Sequence, residues 1–254
     1  MIVAYHRPTS VEEAVNLLTR PNVLSYPLAG GTYLSRHAVE ECEVVDLQDV
    51  GLDFIRREGD VLVVGACTKL QSLMDCADVP DALRQAIIRD VSLNIRNARS
   101  VAGSLVTATG RSTLATVLLA LDVSLVWLPG EREVRIGDWL ALRKDWKEGV
   151  LIHSLLIPLK PRVIFEAVAR SPMDLPVVCL ALAEWSSGRV RLAAGGSGAH
   201  PVLVADGLGG ESLDMAASDA CSQSGDAWAS AEYRQHVAAI LARRLMHAMQ
   251  EEKS

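Results

Sequence analysis

Two consecutive glycines, Gly30 and Gly31, follow the apolar run Ser25 to Ala29 and precede Thr32-Tyr33-Leu34. A glycine pair behind a strand-like run lets the chain turn without Cβ obstruction. The stretch from Thr32 to Ala38 can then form a turn of helix. Upstream, Ser10-Val-Glu-Glu13 is a capping box, in which hydroxyl and carboxylate satisfy free N–H groups at a helix start. Val11, Ala14, Val15 and Leu18 recur at helical spacing and predict a helix over 11–19. Val44 to Leu47 reads as a second strand. The first fifty residues are thereby constrained to a small α/β unit with a glycine turn between strand and helix.

The same reading continues along the chain. Residues 61–65 form a strand, Pro80 to Arg89 suit a helix, and a further helix is expected at about 113–121. Ser124–Leu128 and Glu133–Ile136 flank the turn signal Pro129-Gly130, and Asp138-Trp139-Leu140 starts a short helix. Pro158 and Pro161 bracket a boundary. Beyond it, Pro176–Trp185 and Arg189–Ala193 alternate as a hairpin across Ser187-Gly188, and Ala231 to Met249 is an amphipathic helix. At about 150 residues per domain, the 254 residues allow one or two domains. The reading is two parts, 1–157 and 162–254, the first divisible into subdomains of about 1–53 and 54–157.

Composition narrows the function classes. Half of the residues are apolar and 22% are charged, which excludes a disordered chain. The net charge of −6 carries no basic block, so nucleic acid and anionic lipid are poor partners. Cys42, Cys67, Cys76, Cys179 and Cys221 are scattered with no C-x-x-C spacing. That argues against zinc, and against an iron–sulfur cluster held by this chain alone. Scattered thiols and a start without signal-peptide character point to a cytoplasmic protein. The most apolar stretch, Leu114 to Trp127, contains Asp122 and is too short to span a bilayer.

Two stretches could carry chemistry. Leu28-Ala29-Gly30-Gly31-Thr32-Tyr33-Leu34 is either a backbone cradle for a pyrophosphate or a plain turn. It is neither a Walker A loop nor a Rossmann fingerprint. Ser100-Val101-Ala102-Gly103-Ser104-Leu105-Val106-Thr107, preceded by Asn94-Ile95-Arg96-Asn97, is either a phosphate- and ribose-holding loop or a tightly packed one. Elsewhere the bland readings are preferred. His153 sits before a strand, Asp122 at a helix end, and Cys67 is a buried thiol. Arg143 to Glu148 reads as a solvated loop, and the five tryptophans as core or interface. His37 follows the first loop and could approach a cofactor.

Taken in order, the A-G-G-T turn, the I-R-N-x-x-S-V-x-G-S stretch and Leu118-Leu119-Ala120-Leu121-Asp122 resemble the flavoprotein subunit of molybdenum-containing hydroxylases. That family includes the carbon monoxide dehydrogenase and xanthine dehydrogenase flavin subunits. Asp174-Leu175-Pro176, Gly195-Gly196 and Ser230-Ala231-Glu232-Tyr233-Arg234 extend the likeness over nearly the whole chain. The resemblance implies an α+β fold: a two-subdomain FAD-binding domain of the vanillyl-alcohol-oxidase type, then a small α/β C-terminal domain. It places Leu28, Ala29, Gly30, Gly31, Thr32, Tyr33 and Leu34 on the first FAD loop. Ser100, Gly103, Ser104 and Thr107 fall on the second. Ala102 and Ser104 stand where the family has Gly and Asn, Thr113 where it has an adenosine-side Asp, and Glu166 or Ala167 near a Lys position.

The resemblance further implies a non-covalently bound FAD and no catalytic residue or metal in this chain. The molybdenum cofactor and the [2Fe–2S] clusters would lie in a large and a small partner subunit, in a dimer of heterotrimers. Electrons would pass from the clusters through FAD to an acceptor such as NAD. Two other readings remain open: a scaffold subunit with weakened or lost FAD binding, and a stand-alone flavin oxidase, for which the chain looks too short.

Overall fold

The computed structural model describes residues 1–34, 40–172, 174–208 and 212–251. The chain divides into two compact units that interleave in sequence. One comprises residues 1–77, 93–107 and 124–157; the other comprises 78–92, 108–123 and 158–254.

The first unit begins with β1 (Ile2–His6), α1 (Val11–Leu18), β2 (Ser25–Leu28) and β3 (Cys42–Asp46). These strands form a parallel sheet in the order β1-β3-β2. The capping box forms as read: Ser10 accepts from the Glu13 N–H, and the Glu13 carboxylate accepts from the Thr9 N–H. Helix α1 buries Ala14 against Val45 and Leu47, in a core shared with Leu52, Cys67 and Leu151. Of the expected turn of helix from Thr32 to Ala38, residues 35–38 lie outside the described residues.

A second sheet of this unit has the order β4-β5-β8-β6-β7. Its strands are β4 (Ile55–Glu58), β5 (Val61–Gly65), β6 (Ser124–Leu128), β7 (Arg132–Arg135) and β8 (Leu151–Pro158). Helices α2 (Leu70–Asp75), α4 (Leu93–Ala98), α5 (Val101–Val106) and α7 (Ile136–Leu142) complete the unit. The segment read as a loop from Ser100 is therefore largely helical. Glycine, serine and valine are poor helix formers. The Ser100 hydroxyl nonetheless caps α5 by accepting from the Gly103 N–H, and Val101 and Leu105 are fully buried. Burial and capping override propensity here.

The charged run is a loop as read, with Lys144, Asp145, Lys147 and Glu148 exposed, but two of its side chains turn inward. Arg143 donates to the Leu105 carbonyl at 3.3 Å, and the Trp146 ring lies 5.5 Å from Trp127, which in turn lies 5.7 Å from Trp139. Three of the five tryptophans thus form one cluster.

The second unit is built on an antiparallel sheet in the order β12-β11-β10-β9. The strands are β9 (Arg162–Val168), β10 (Val178–Glu184), β11 (Arg189–Gly195) and β12 (Val202–Leu208). Helices α8 (Leu213–Ala220) and α9 (Ala231–Glu251) pack with it, burying Leu180, Leu182, Leu192, Leu241 and Leu245. Helices α3 (Asp81–Asp90) and α6 (Thr113–Ala120) also belong to this unit. All eight residues of α6 are buried.

Asp122 is more than a helix terminus. It takes a left-handed backbone conformation (φ 57°) and pairs with Arg189 at 3.0 Å and Arg191 at 3.2 Å. Asp206 completes the network, accepting from Arg189 at 2.8 Å and from Arg191 at 2.5 Å. Hydrogen bonding from Arg189, aided by the charge of Arg191, holds the Asp206 carboxyl below its ordinary value of 3.8. A depressed carboxylate stabilises the fold above its unfolded pKa, and that contribution is lost as the pH falls through the folded value. Asp206→Asn is therefore expected to lower the melting temperature at neutral pH. The gap to the unsubstituted chain should close as the pH drops below 3.8. A gap that stays constant into acid would show that the charge plays no part.

Candidate functional site

The first unit contains a cavity of about 610 Å³, lined by both stretches that the sequence singled out. Volumes of this order suit a cofactor-sized ligand. One wall is the glycine turn after β2, where Leu28, Ala29, Gly30, Gly31, Thr32, Tyr33 and Leu34 all face the space. Gly31 has φ +64°, and a Cβ there would meet only Leu28 Cδ1 at 3.6 Å. Its glycine is required by backbone conformation, not by crowding. Gly30 is the reverse case: a Cβ would lie 1.9 Å from the Ala98 carbonyl oxygen, so the turn packs directly on the end of α4.

That close approach joins the two stretches. Arg99 Nε donates to Thr32 Oγ1 at 3.2 Å, and Ser100, Ala102, Gly103 and Thr107 line the cavity beside the turn. Thr107 donates its hydroxyl to the Gly103 carbonyl at 2.7 Å. Ser104 does not reach the cavity. It is 2% exposed and its hydroxyl donates to the Ser100 carbonyl at 2.9 Å. Thr113 belongs to the other compact unit and donates to the Ala86 carbonyl at 2.7 Å.

The remaining wall is apolar. Leu47, Cys67, Trp127, Val150 and Ile152 supply it. Burial pushes the Cys67 thiol up to about 12, so it stays protonated and inert near neutral pH. Among the described lining residues, Arg99 is the one cation and Glu40 the one acid. A mostly apolar cavity with a glycine turn and one cation is suited to an organic ring joined to an anionic group. The described residues contain no group of His, Cys, Asp and Glu able to hold a metal ion.

Residues 1–160 match the family described as the FAD binding domain in molybdopterin dehydrogenase. This chain belongs to that family. It is 30% identical over 248 residues to the uncharacterised Escherichia coli K12 protein YgfM, covering 95% of this chain and 94% of the relative. It is 29% identical to the carbon monoxide dehydrogenase medium chain of Afipia carboxidovorans, covering 94% of each. In fold it matches carbon monoxide dehydrogenase from Hydrogenophaga pseudoflava with a TM-score of 0.81 at 20% identity, over 98% and 97% of the two chains. Quinoline 2-oxidoreductase from Pseudomonas putida 86 gives a TM-score of 0.77 at 20% identity, over 96% and 95%. The chain is accordingly a flavoprotein subunit of the molybdopterin-dehydrogenase type.

The cavity fits the cofactor of this FAD-binding family. A pyrophosphate needs backbone N–H groups or a cation at close range, and Arg99 is a cation on the cavity lining beside the glycine turn. A planar ring needs apolar surroundings, and Trp127 and Ile152 are among the apolar residues that line the cavity. Of the residues expected on the two FAD loops, Ser104 does not line the cavity, and neither does Thr113, expected at the adenosine side. Arg99 escaped the sequence reading, although its signal was present as a cation directly before Ser100. His37 lies outside the described residues. His153 lies within β8, its ring 5.8 Å from Phe54, and Glu166 on β9 pairs with Arg244 at 3.1 Å.

Proposed function

We propose that this chain binds one FAD non-covalently in the cavity and relays electrons between a partner's [2Fe–2S] clusters and an acceptor such as NAD. Flavin, when bound, supplies the exchange between one-electron and two-electron carriers. The protein's own work is to hold the pyrophosphate on the Gly31 turn, seat the ring system against apolar residues, and exclude water. The observation that carries this reading is the joining of the glycine turn to the Arg99–Ser100 segment on one cavity. The expected partners are an iron–sulfur subunit and a molybdenum subunit in a cytoplasmic dimer of heterotrimers. Among the described residues, no helix is long and apolar enough to cross a membrane.

Titration of the flavin-free chain with FAD tests the reading. Trp127 lines the cavity, so tryptophan emission should fall and saturate at one FAD per chain. The flavin should be released on acid denaturation. A specific observation favours one rival, the scaffold subunit: Ser104 and Thr113 give their hydroxyls to protein carbonyls, so neither is offered to a ligand. An assembled complex free of flavin would decide for that rival.

A further inference from the structure

We infer that Arg99 is the anion clamp of the cavity, binding the phosphates of the dinucleotide directly; this rests on the FAD reading above. Arg99 follows α4 and immediately precedes the Ser100 cap of α5. Its backbone is fixed from both sides: its N–H donates to the Ile95 carbonyl at 2.7 Å and its carbonyl accepts from the Leu70 N–H at 3.0 Å. The side chain is partly buried and lines the cavity. Nε is engaged with Thr32 Oγ1. Among the described residues, no carboxylate lies within ion-pair distance of Arg99.

The latch to Thr32 ties the guanidinium to the glycine turn and, among the described residues, leaves its two terminal nitrogens for a ligand. A planar guanidinium suits a phosphate because two parallel N–H groups meet two oxygens. The demand for such a group is also on the page. A pyrophosphate brings two negative charges into a space where Glu40 is already acidic and where, among the described lining residues, Arg99 is the one cation. Ser104 and Thr113 turn their hydroxyls away. The clamp thus substitutes a charge for the polar contacts that the second loop lacks.

Equilibrium titrations of the full chain with FAD, ADP and adenosine test the assignment. Arg99→Ala should weaken FAD and ADP about tenfold or more while leaving adenosine unchanged. The loss should shrink as salt is raised, and Arg99→Lys should recover part of it. Thr32→Val, which cuts the latch and keeps the charge, should cost far less than Arg99→Ala. Unchanged FAD binding by Arg99→Ala would overturn the clamp. So would equal losses for ADP and adenosine, or a Thr32→Val loss matching that of Arg99→Ala, since either would mean that Arg99 only shapes the loop. A native chain that fails to take up FAD would instead overturn the proposed function, and the clamp with it.

Discussion

Gly31→Asp should yield a folded chain essentially devoid of flavin. The left-handed backbone at Gly31 is one that aspartate tolerates better than most residues, at a cost of about 1–2 kcal/mol. Its Cβ would meet only the Leu28 side chain at 3.6 Å, so packing is spared. The carboxylate, however, enters a cavity where Arg99 is the one cation among the described lining residues, so it competes for Arg99 and repels the pyrophosphate. Losses of a hundredfold or more in FAD affinity are expected, about 3 kcal/mol. Flavin content per folded chain, beside a melting curve, measures both effects. Equal content in variant and native chain would show that the loop is only a turn. Gly30→Ala makes the contrast: its methyl meets the Ala98 carbonyl, so stability and flavin content should fall together.

The largest loss of stability is expected from Arg234→Met. Arg234 is 1% exposed and lies in the first turn of α9. It donates to the carbonyls of Val177 at 2.7 Å and Gly196 at 2.5 Å, and to Asp226 at 2.6 Å. Methionine fills much of the same space but satisfies none of these acceptors. Removing one partner from a buried charged network costs about 3–5 kcal/mol. Denaturant unfolding should show a loss of that size in the second unit, with flavin content per folded chain little changed. A loss below about 1 kcal/mol would mean that water takes over the freed carbonyls.

Arg234 also shows what kind of information the sequence held. The Ser230-Ala231-Glu232-Tyr233-Arg234 segment was recognisable as a pattern, yet nothing local says why an arginine stands there. The reason is two carbonyls 57 and 38 residues away in the chain. Strongly periodic elements with local punctuation were legible: α1 with its capping box, β5, β10 and β11 around Ser187-Gly188, and α9. Elements held by distant partners were not. β1 reads poorly because its pairing comes from β3 some forty residues on, and α5 forms only because Ser100 caps it over buried Val101 and Leu105. The glycine turn was legible as a candidate because Gly-Gly after a strand is a local signal. Its packing on Ala98, and the latch from Arg99, depend on contacts across more than sixty residues.

The interleaving of the two units bears on how the protein can be made. Helix α6 is buried on every side and mostly apolar, and within its unit it packs on β10 and β11, which follow about 60 residues later. At a synthesis rate of about 5–20 residues per second, its hydrophobic surface waits roughly 3–12 s for those strands to leave the ribosome. Helix α3 waits similarly for β9. Neither core can close while the nascent chain is short, so the growing polypeptide presents sticky segments that a chaperone would bind. For the same reason, a gene cut after residue 160, where the family match ends, encodes two helices without the sheet that covers them. Such a fragment should accumulate as inclusion bodies to a greater extent than the product of the uncut gene.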